Sequence, residues 1–334
     1  MDLSTEYLGF KLPHPLVPGA SPMGDDLDTV KRLEDAGAPA IILRSLFEEQ
    51  ITQEQAAEVA FQDNRAESSP EATTYFPSSK VFVLNTDSYL NHLRKVKEAV
   101  KIPVFASLNG ITPGGWLDYA RQMEQAGADA LELNVYRVAT DLGTSGAEIE
   151  AQTVEMVRQV KRTIKIPFAV KLSPFLTAPA HFARQLDEAG ARGLVLFNRF
   201  YQPDINIDEL AISPTLDLSD SSELLLRMHW MAILSARVKA SLAVTGGVHT
   251  ALDVVKATMA GAHVTQMVSA LLLNGPEYLG EVLVDLQEWM TEHKWNSLAE
   301  MRGNMGLGKV SNPELYVRAN YMVMLQSWRR TARG

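Results

Sequence analysis

Three kinds of residue in this chain could do chemistry on a bound molecule. Lys171 sits in PFAVKLSPF, apolar on its N-terminal side. An ammonium is costly to bury unpaired, so Lys171 should point into a polar site rather than the core. Thr245-Gly246-Gly247 ends one apolar run, and a helix should begin at His249 or Thr250. Glycines there would let backbone N–H groups approach an anion, and the following helix start adds a favourable dipole, so a phosphate is the expected guest. Asn109, Asn134 and Asn198 close three further apolar runs, where amide side chains could read a polar substrate edge. Ala20, Ser21, Arg44, Ser45 and Ser269 occupy equivalent places after other runs.

These residues need a scaffold that brings run ends together. One phrase recurs four times, an amphipathic stretch followed by Ala-Gly-Ala and a short apolar run: Leu33–Ser45, Met123–Val135, Leu186–Asn198 and Thr258–Val268. Glycine just past a helix end closes its last turn, and the apolar run has the length of a strand buried on both faces. The predicted strands are Leu16–Ser21, Ala40–Ser45, Val104–Asn109, Ala130–Tyr136, Phe168–Ser173, Gly193–Asn198, Leu242–Gly247 and Val264–Val268. Helical patterns such as Thr86–Val100 and Ala151–Ile164 separate them. Eight strands alternating with helices predict a (β/α)8 TIM barrel, whose sites lie at the carboxyl ends of the strands. The competing open doubly wound sheet lacks its Gly-x-Gly-x-x-Gly turn.

The 334 residues read as a single domain. Two stretches break its rhythm: a lid-like insertion at 48–80 after strand two, and Arg199–Ser222 after strand six. Residues 304–334 should form a helical extension that closes the barrel bottom or meets another subunit. A net charge of −9 argues against a nucleic-acid partner. The chain has no cysteine, which removes disulfides, thiolate metal sites and a cysteine nucleophile. His181, His229 and His249 are too scattered to argue a metal site. No apolar run is long enough to span a membrane, and no secretory signal opens the chain, so the cytoplasm is the expected location.

Together these stretches resemble the dihydroorotate dehydrogenase family, in particular its soluble first class. The likeness runs from Leu8 to about Gly303 through LGFKLPHPLVPGASPMG, ILRSLFEEQ, ALELNVY, FAVKLSPF, LVLFN, AVTGGV and QMVSALLLNGPEYL. It implies FMN as cofactor, with Ala20, Ser21, Arg44 (in place of a lysine), Ser45, Asn109, Asn134, Lys171, Thr245, Gly246, Gly247, Val268 (in place of a glycine) and Ser269 (in place of a threonine) around it. Lys171 would lie near the flavin N1 and O2, and Asn85, Asn134 and Asn198 would hold a pyrimidine substrate. A homodimer is implied, with a second electron-transfer subunit as in some relatives. The family's proton-abstracting cysteine or serine, three residues after the strand-four asparagine, is replaced by Arg137, which cannot serve as a base. Arg137 could instead pair with a substrate carboxylate, and Tyr136, Thr140, Thr144 or Ser145 would have to replace the missing base. The chain thus resembles a divergent branch that keeps its flavin contacts. Two alternatives remain open: a flavin protein without dihydroorotate turnover, and a flavin-free lyase forming a Schiff base at Lys171.

Overall fold

The computed structural model describes residues 1–48, 86–110, 112–214, 216–318 and 320–327. Eight parallel strands form the barrel: β1 (Leu16–Pro18), β2 (Ile41–Phe47), β3 (Val104–Asn109), β4 (Ala130–Asn134), β5 (Phe168–Leu172), β6 (Gly193–Leu196), β7 (Ser241–Thr245) and β8 (Val264–Met267). Each is followed by a helix: α1 (Leu27–Asp35), α2 (Thr86–Ala99), α3 (Pro113–Gln125), α4 (Gly146–Thr163), α5 (Pro179–Glu188), α6 (Leu224–Leu234), α7 (Ala251–Ala260) and the short α8 (Ser269–Asn274), with α9 (Tyr278–Glu292) completing the outer ring. Ladder pairing runs β1-β8-β7-β6-β5-β4-β3-β2. β1 and β2 stand side by side where the cylinder closes, without ladder bonds among the described residues. The expected (β/α)8 barrel is therefore the observed fold.

The repeated phrase works as its composition predicts. Gly37, Gly127, Gly190 and Gly261, the glycines of the four Ala-Gly-Ala units, all have positive φ and turn a helix end towards the next strand. α4 begins earlier than the sequence pattern indicated. Its start is fixed by a capping box in which Ser145 accepts from the Glu148 N–H and Glu148 accepts from the Ser145 N–H.

Strand alternation builds two cores. Outward residues such as Leu131, Leu133, Val170, Leu194 and Val244 pack under the helices in the larger one. Inward residues near the strand starts, Phe105, Ala130, Ala169, Val195, Ala243 and Val264, form the smaller one with Tyr7, Leu8 and Leu12. Those three belong to an antiparallel hairpin, Thr5–Tyr7 paired with Phe10–Leu12, which plugs the floor of the barrel. The C-terminal extension meets the helix layer through backbone bonds, the Met305 N–H donating to the Met259 carbonyl and the Leu307 N–H to the Ala232 carbonyl, both at 2.9 Å. Tyr316 packs its ring 5.8 Å from that of His229 on α6, and the helix Asn320–Gln326 is exposed.

The stretch after β6 carries a second hairpin, Asp204–Asn206 with Ala211–Ser213, exposing Ile205, Ile207, Leu210 and Ile212. The segment 48–80, apart from Glu48, lies outside the described residues, as does Asn85. Among the described residues no helix is long and apolar enough to cross a membrane.

Candidate active site

A cavity of about 410 Å³ opens at the carboxyl ends of the strands, within the size range of small-molecule sites. It is lined by Ala20 and Ser21 beyond β1, Arg44 and Ser45 of β2, Asn109 of β3, Asn134 and Tyr136 from the β4 exit, and Lys171 of β5. Asn198, Thr245, Gly246, Gly247, Val268 and Ser269 complete the ring from β6, β7 and β8. The separate strand ends of the sequence thus converge on one chamber. Arg137 does not reach it: its guanidinium is exposed and donates to Gln152 Oε1 on α4 at 2.9 Å.

The chamber floor is polar because the inward positions change character along each strand. In β4, Ala130 faces the apolar floor, Glu132 points inward beneath the lining residues Lys171 and Gln266, and Asn134 reaches the chamber, with Leu131 and Leu133 turned outward. Glu132 is 2% exposed, and its two oxygens serve two partners. Lys171 Nζ lies 3.1 Å from Oε1, and Gln266 Nε2 donates to Oε2 at 2.7 Å. Gln266 Oε1 is buried and finds no partner among the described residues.

A second network runs along the β2 side. Asn198 Nδ2 donates to Asn134 Oδ1 at 2.6 Å, and Asn134 Nδ2 donates to Ser45 Oγ at 3.2 Å. Ser45 and Ser107 hydroxyls are 2.7 Å apart, and Ser107 Oγ donates to the Glu132 carbonyl at 3.3 Å. Read in order, each hydroxyl or amide donates to the next, so the asparagines are oriented before any substrate arrives. A β-bulge between Ile42 and Ser45 makes this possible: β2 spends one extra residue there against β3. Because the pleat is interrupted, the consecutive residues Arg44 and Ser45 both reach the cavity wall. Arg44 is held by Asp25 at 3.2 Å, and burial raises the Asp25 pKa against the opposing pull of Arg44 and His92.

The glycine turn after β7 sits on a buried cation. Gly246 and Gly247 have φ of 86° and 81°, a region where a side chain is strained. A Cβ on Gly246 would lie 2.6 Å from Arg227 Nη2, and one on Gly247 would lie 2.5 Å from the Leu224 nitrogen. Arg227 Nε donates to the Thr245 carbonyl and its Nη1 to the Glu223 carbonyl. Burial lowers the Arg227 pKa, Glu223 opposes that shift, and Arg199 reinforces it. Above the turn, Ser219 Oγ donates to Ser269 Oγ at 2.8 Å and accepts a long bond from the Gly247 N–H at 3.4 Å. Backbone N–H groups, two hydroxyls and an underlying guanidinium give this corner of the chamber the donors and charge that an anion needs.

Several of these participants escaped sequence reasoning. Gln266 and Glu132 lay inside runs read as apolar on both faces, although a polar residue two positions beyond a small inward one was a usable signal. Arg227 was visible as the lone charge in LLLRMHWMAIL, the sequence of α6. Ser219, Phe197 and Tyr201 also line the cavity and had no local signature.

Comparison with known proteins agrees with this architecture. The family model for dihydroorotate dehydrogenase matches residues 84–290, most of the barrel. The chain belongs to the dihydroorotate dehydrogenase family. A protein of Aeropyrum pernix named as a dihydroorotate dehydrogenase A (fumarate) is 29% identical over 63% of this chain and 70% of its own length. The dihydroorotate dehydrogenase B (NAD(+)) catalytic subunit of Methanothermobacter thermautotrophicus is 24% identical over 90% of this chain and 97% of its own length. A dihydropyrimidine dehydrogenase (NADP(+)) of Arabidopsis thaliana is 22% identical over 91% of this chain and 76% of its own length. The proteins similar to this chain are thus named for more than one substrate, dihydroorotate and dihydropyrimidine.

Proposed function

We propose that this chain binds FMN at the barrel mouth and catalyses oxidoreduction of a carbon–carbon bond in a cyclic amide of the dihydroorotate or dihydropyrimidine class. The observation that carries this reading is the convergence of the Glu132–Lys171–Gln266 cluster and the Arg227-backed glycine turn on one chamber. The residues suit such a group: the turn, Ser219 and Ser269 would take the phosphate, and the orphan Gln266 Oε1 calls for an N–H donor from the ring. Ala20, Ser21, Arg44, Ser45 and Val268 would frame the ring. When bound, FMN supplies a hydride-accepting centre.

Lys171 would stabilise negative charge gathering at the ring during reduction, and Glu132 keeps that amine in place. Asn198, already oriented through Asn134, keeps its carbonyl oxygen for a substrate N–H, and Asn109 contributes a further amide. The base position is occupied by Arg137, which is tied to Gln152, so proton transfer falls to Tyr136 in this reading. A Schiff-base lyase is less well supported. Lys171 is engaged in an ion pair with Glu132, whereas that chemistry needs a free amine lone pair.

Self-association through the exposed Ile205, Ile207, Leu210 and Ile212 ridge belongs to the same reading, since an apolar ridge of this kind is normally covered. Light scattering of the Ile207→Lys variant checks it; an unchanged oligomer mass would remove that face from consideration. The enzymatic reading is tested by mixing FMN-loaded protein anaerobically with dihydroorotate and with dihydrouracil. Bleaching of the visible band by either compound, slowed roughly 10²–10³-fold by Lys171→Gln, is expected. Bound FMN that neither compound bleaches would refute the substrate class and leave the cofactor assignment standing.

A further inference from the structure

A second cavity lies at the opposite end of the barrel, where β6, β7 and β8 begin. It has a volume of about 600 Å³. Its walls reverse the charge of a chain that carries −9 overall. Lys161, Arg192, Lys239 and Arg302 all line it, and none forms an ion pair among the described residues. Of the two acids present, Asp187 is already committed, accepting the N–H groups of Lys239 and Ala240 at 2.8 and 3.0 Å. Glu6 is exposed at the rim.

The inner wall is more specific than a charged surface. Arg302 is half-buried, its Nη2 donates to Thr5 Oγ1 at 2.8 Å, and its Nε is buried with no partner among the described residues. A buried guanidinium donor left unmatched calls for an acceptor from outside the chain. Beside it, His263 Nδ1 accepts the Leu242 N–H at 3.0 Å, which places the ring proton on Nε2 and makes the ring a donor. Lys161 is fixed at the opposite wall, since its stem lies against Gly190 so closely that a Cβ there would meet Cγ at 2.8 Å. Cations from four separate elements, with two ring or fork donors between them, match an anion with oxygens pointing several ways. The space is too large for a bare ion and suits a small molecule.

We propose that this floor-end cavity binds a phosphorylated small molecule, its phosphate held between Arg302 and His263 and its charge balanced by Lys161, Arg192 and Lys239. The proposal does not depend on the flavin reading, because none of these residues lines the mouth. Calorimetric titration of the full chain, with excess FMN present to fill the mouth, tests it using ribose 5-phosphate, inorganic phosphate and citrate as probes. Saturable binding of ribose 5-phosphate, tighter than inorganic phosphate and citrate, is expected. The Arg192→Gln/Lys239→Gln pair should weaken it at least about tenfold, and Arg302→Gln should abolish it. The double variant removes only exposed side chains with no bonds among the described residues, so it keeps the test open should Arg302→Gln fail to fold. Absence of saturable binding, equal affinity in the double variant, or preference for inorganic phosphate or citrate would overturn the proposal.

Discussion

Glu132 and Lys171 form a buried ion pair, Nζ to Oε1 at 3.1 Å, across neighbouring strands of the barrel interior. Both side chains are nearly inaccessible, at 3% and 8% exposure. A buried pair adds little over an apolar pair, but an orphaned partner is expensive. Glu132→Gln should therefore cost about 3–5 kcal/mol of unfolding free energy, because it leaves a buried ammonium without its counter-charge. Adding Lys171→Met to that variant should recover most of the loss. Urea denaturation of the two variants measures both; a single variant as stable as wild type would show that the pair is not coupled.

Beneath the pair, Tyr7 places a hydroxyl in the barrel floor with no hydrogen-bond partner among the described residues. Burial first, and then the nearby Glu132 charge, push its pKa well above the usual phenol value, so it stays neutral. Removing an unsatisfied hydroxyl costs nothing and relieves its desolvation. Tyr7→Phe is expected to hold or raise stability, by up to about 1 kcal/mol. A loss of more than that in thermal and urea unfolding would reveal a partner for the hydroxyl.

His263 should give the protein an acid-side weakness. Burial, and after it the charge of Arg302, lower its pKa from 6.5 to about 4, although the bond with Leu242 resists this. Between those two values the unfolded chain binds a proton that the folded chain does not. The contribution is therefore fully present above pH 6.5 and is lost as pH falls towards 4. His14 and His229 are lowered in the same direction by burial, so the informative quantity is the difference between wild type and His263→Gln. That variant should flatten the stability profile in this window by a few kcal/mol at most, as followed by denaturation at stepped pH. Parallel profiles would mean that His263 titrates normally.

The barrel was legible in the sequence because its signals are local. Ala-Gly-Ala ties four helix ends to the next strand within a dozen residues, and the strand exits carry Asn109, Asn134, Asn198 and the Gly246-Gly247 turn into the chamber. What stayed hidden depends on partners distant in the chain. Glu132 and Gln266 meet across 134 positions, and nothing near either residue announces the other. The β2 bulge that presents both Arg44 and Ser45 exists only as a mismatch against β3. Arg137 occupied the expected catalytic position in sequence, yet the loop after β4 turns it to α4. The floor plug came from the N-terminal hairpin, whose strands of three residues are too short for a periodic signal.

If the glycine turn and the Lys171 chamber together hold FMN, titrating the purified protein with FMN under fluorescence detection should reveal it. Equimolar quenching is predicted for the wild type. Gly247→Ala should weaken it at least about tenfold, because a Cβ would collide with the Leu224 backbone in a conformation that already strains a side chain. A colourless protein that leaves FMN fluorescence unquenched would contradict the account, as would a Gly247→Ala variant that binds FMN as tightly as the wild type.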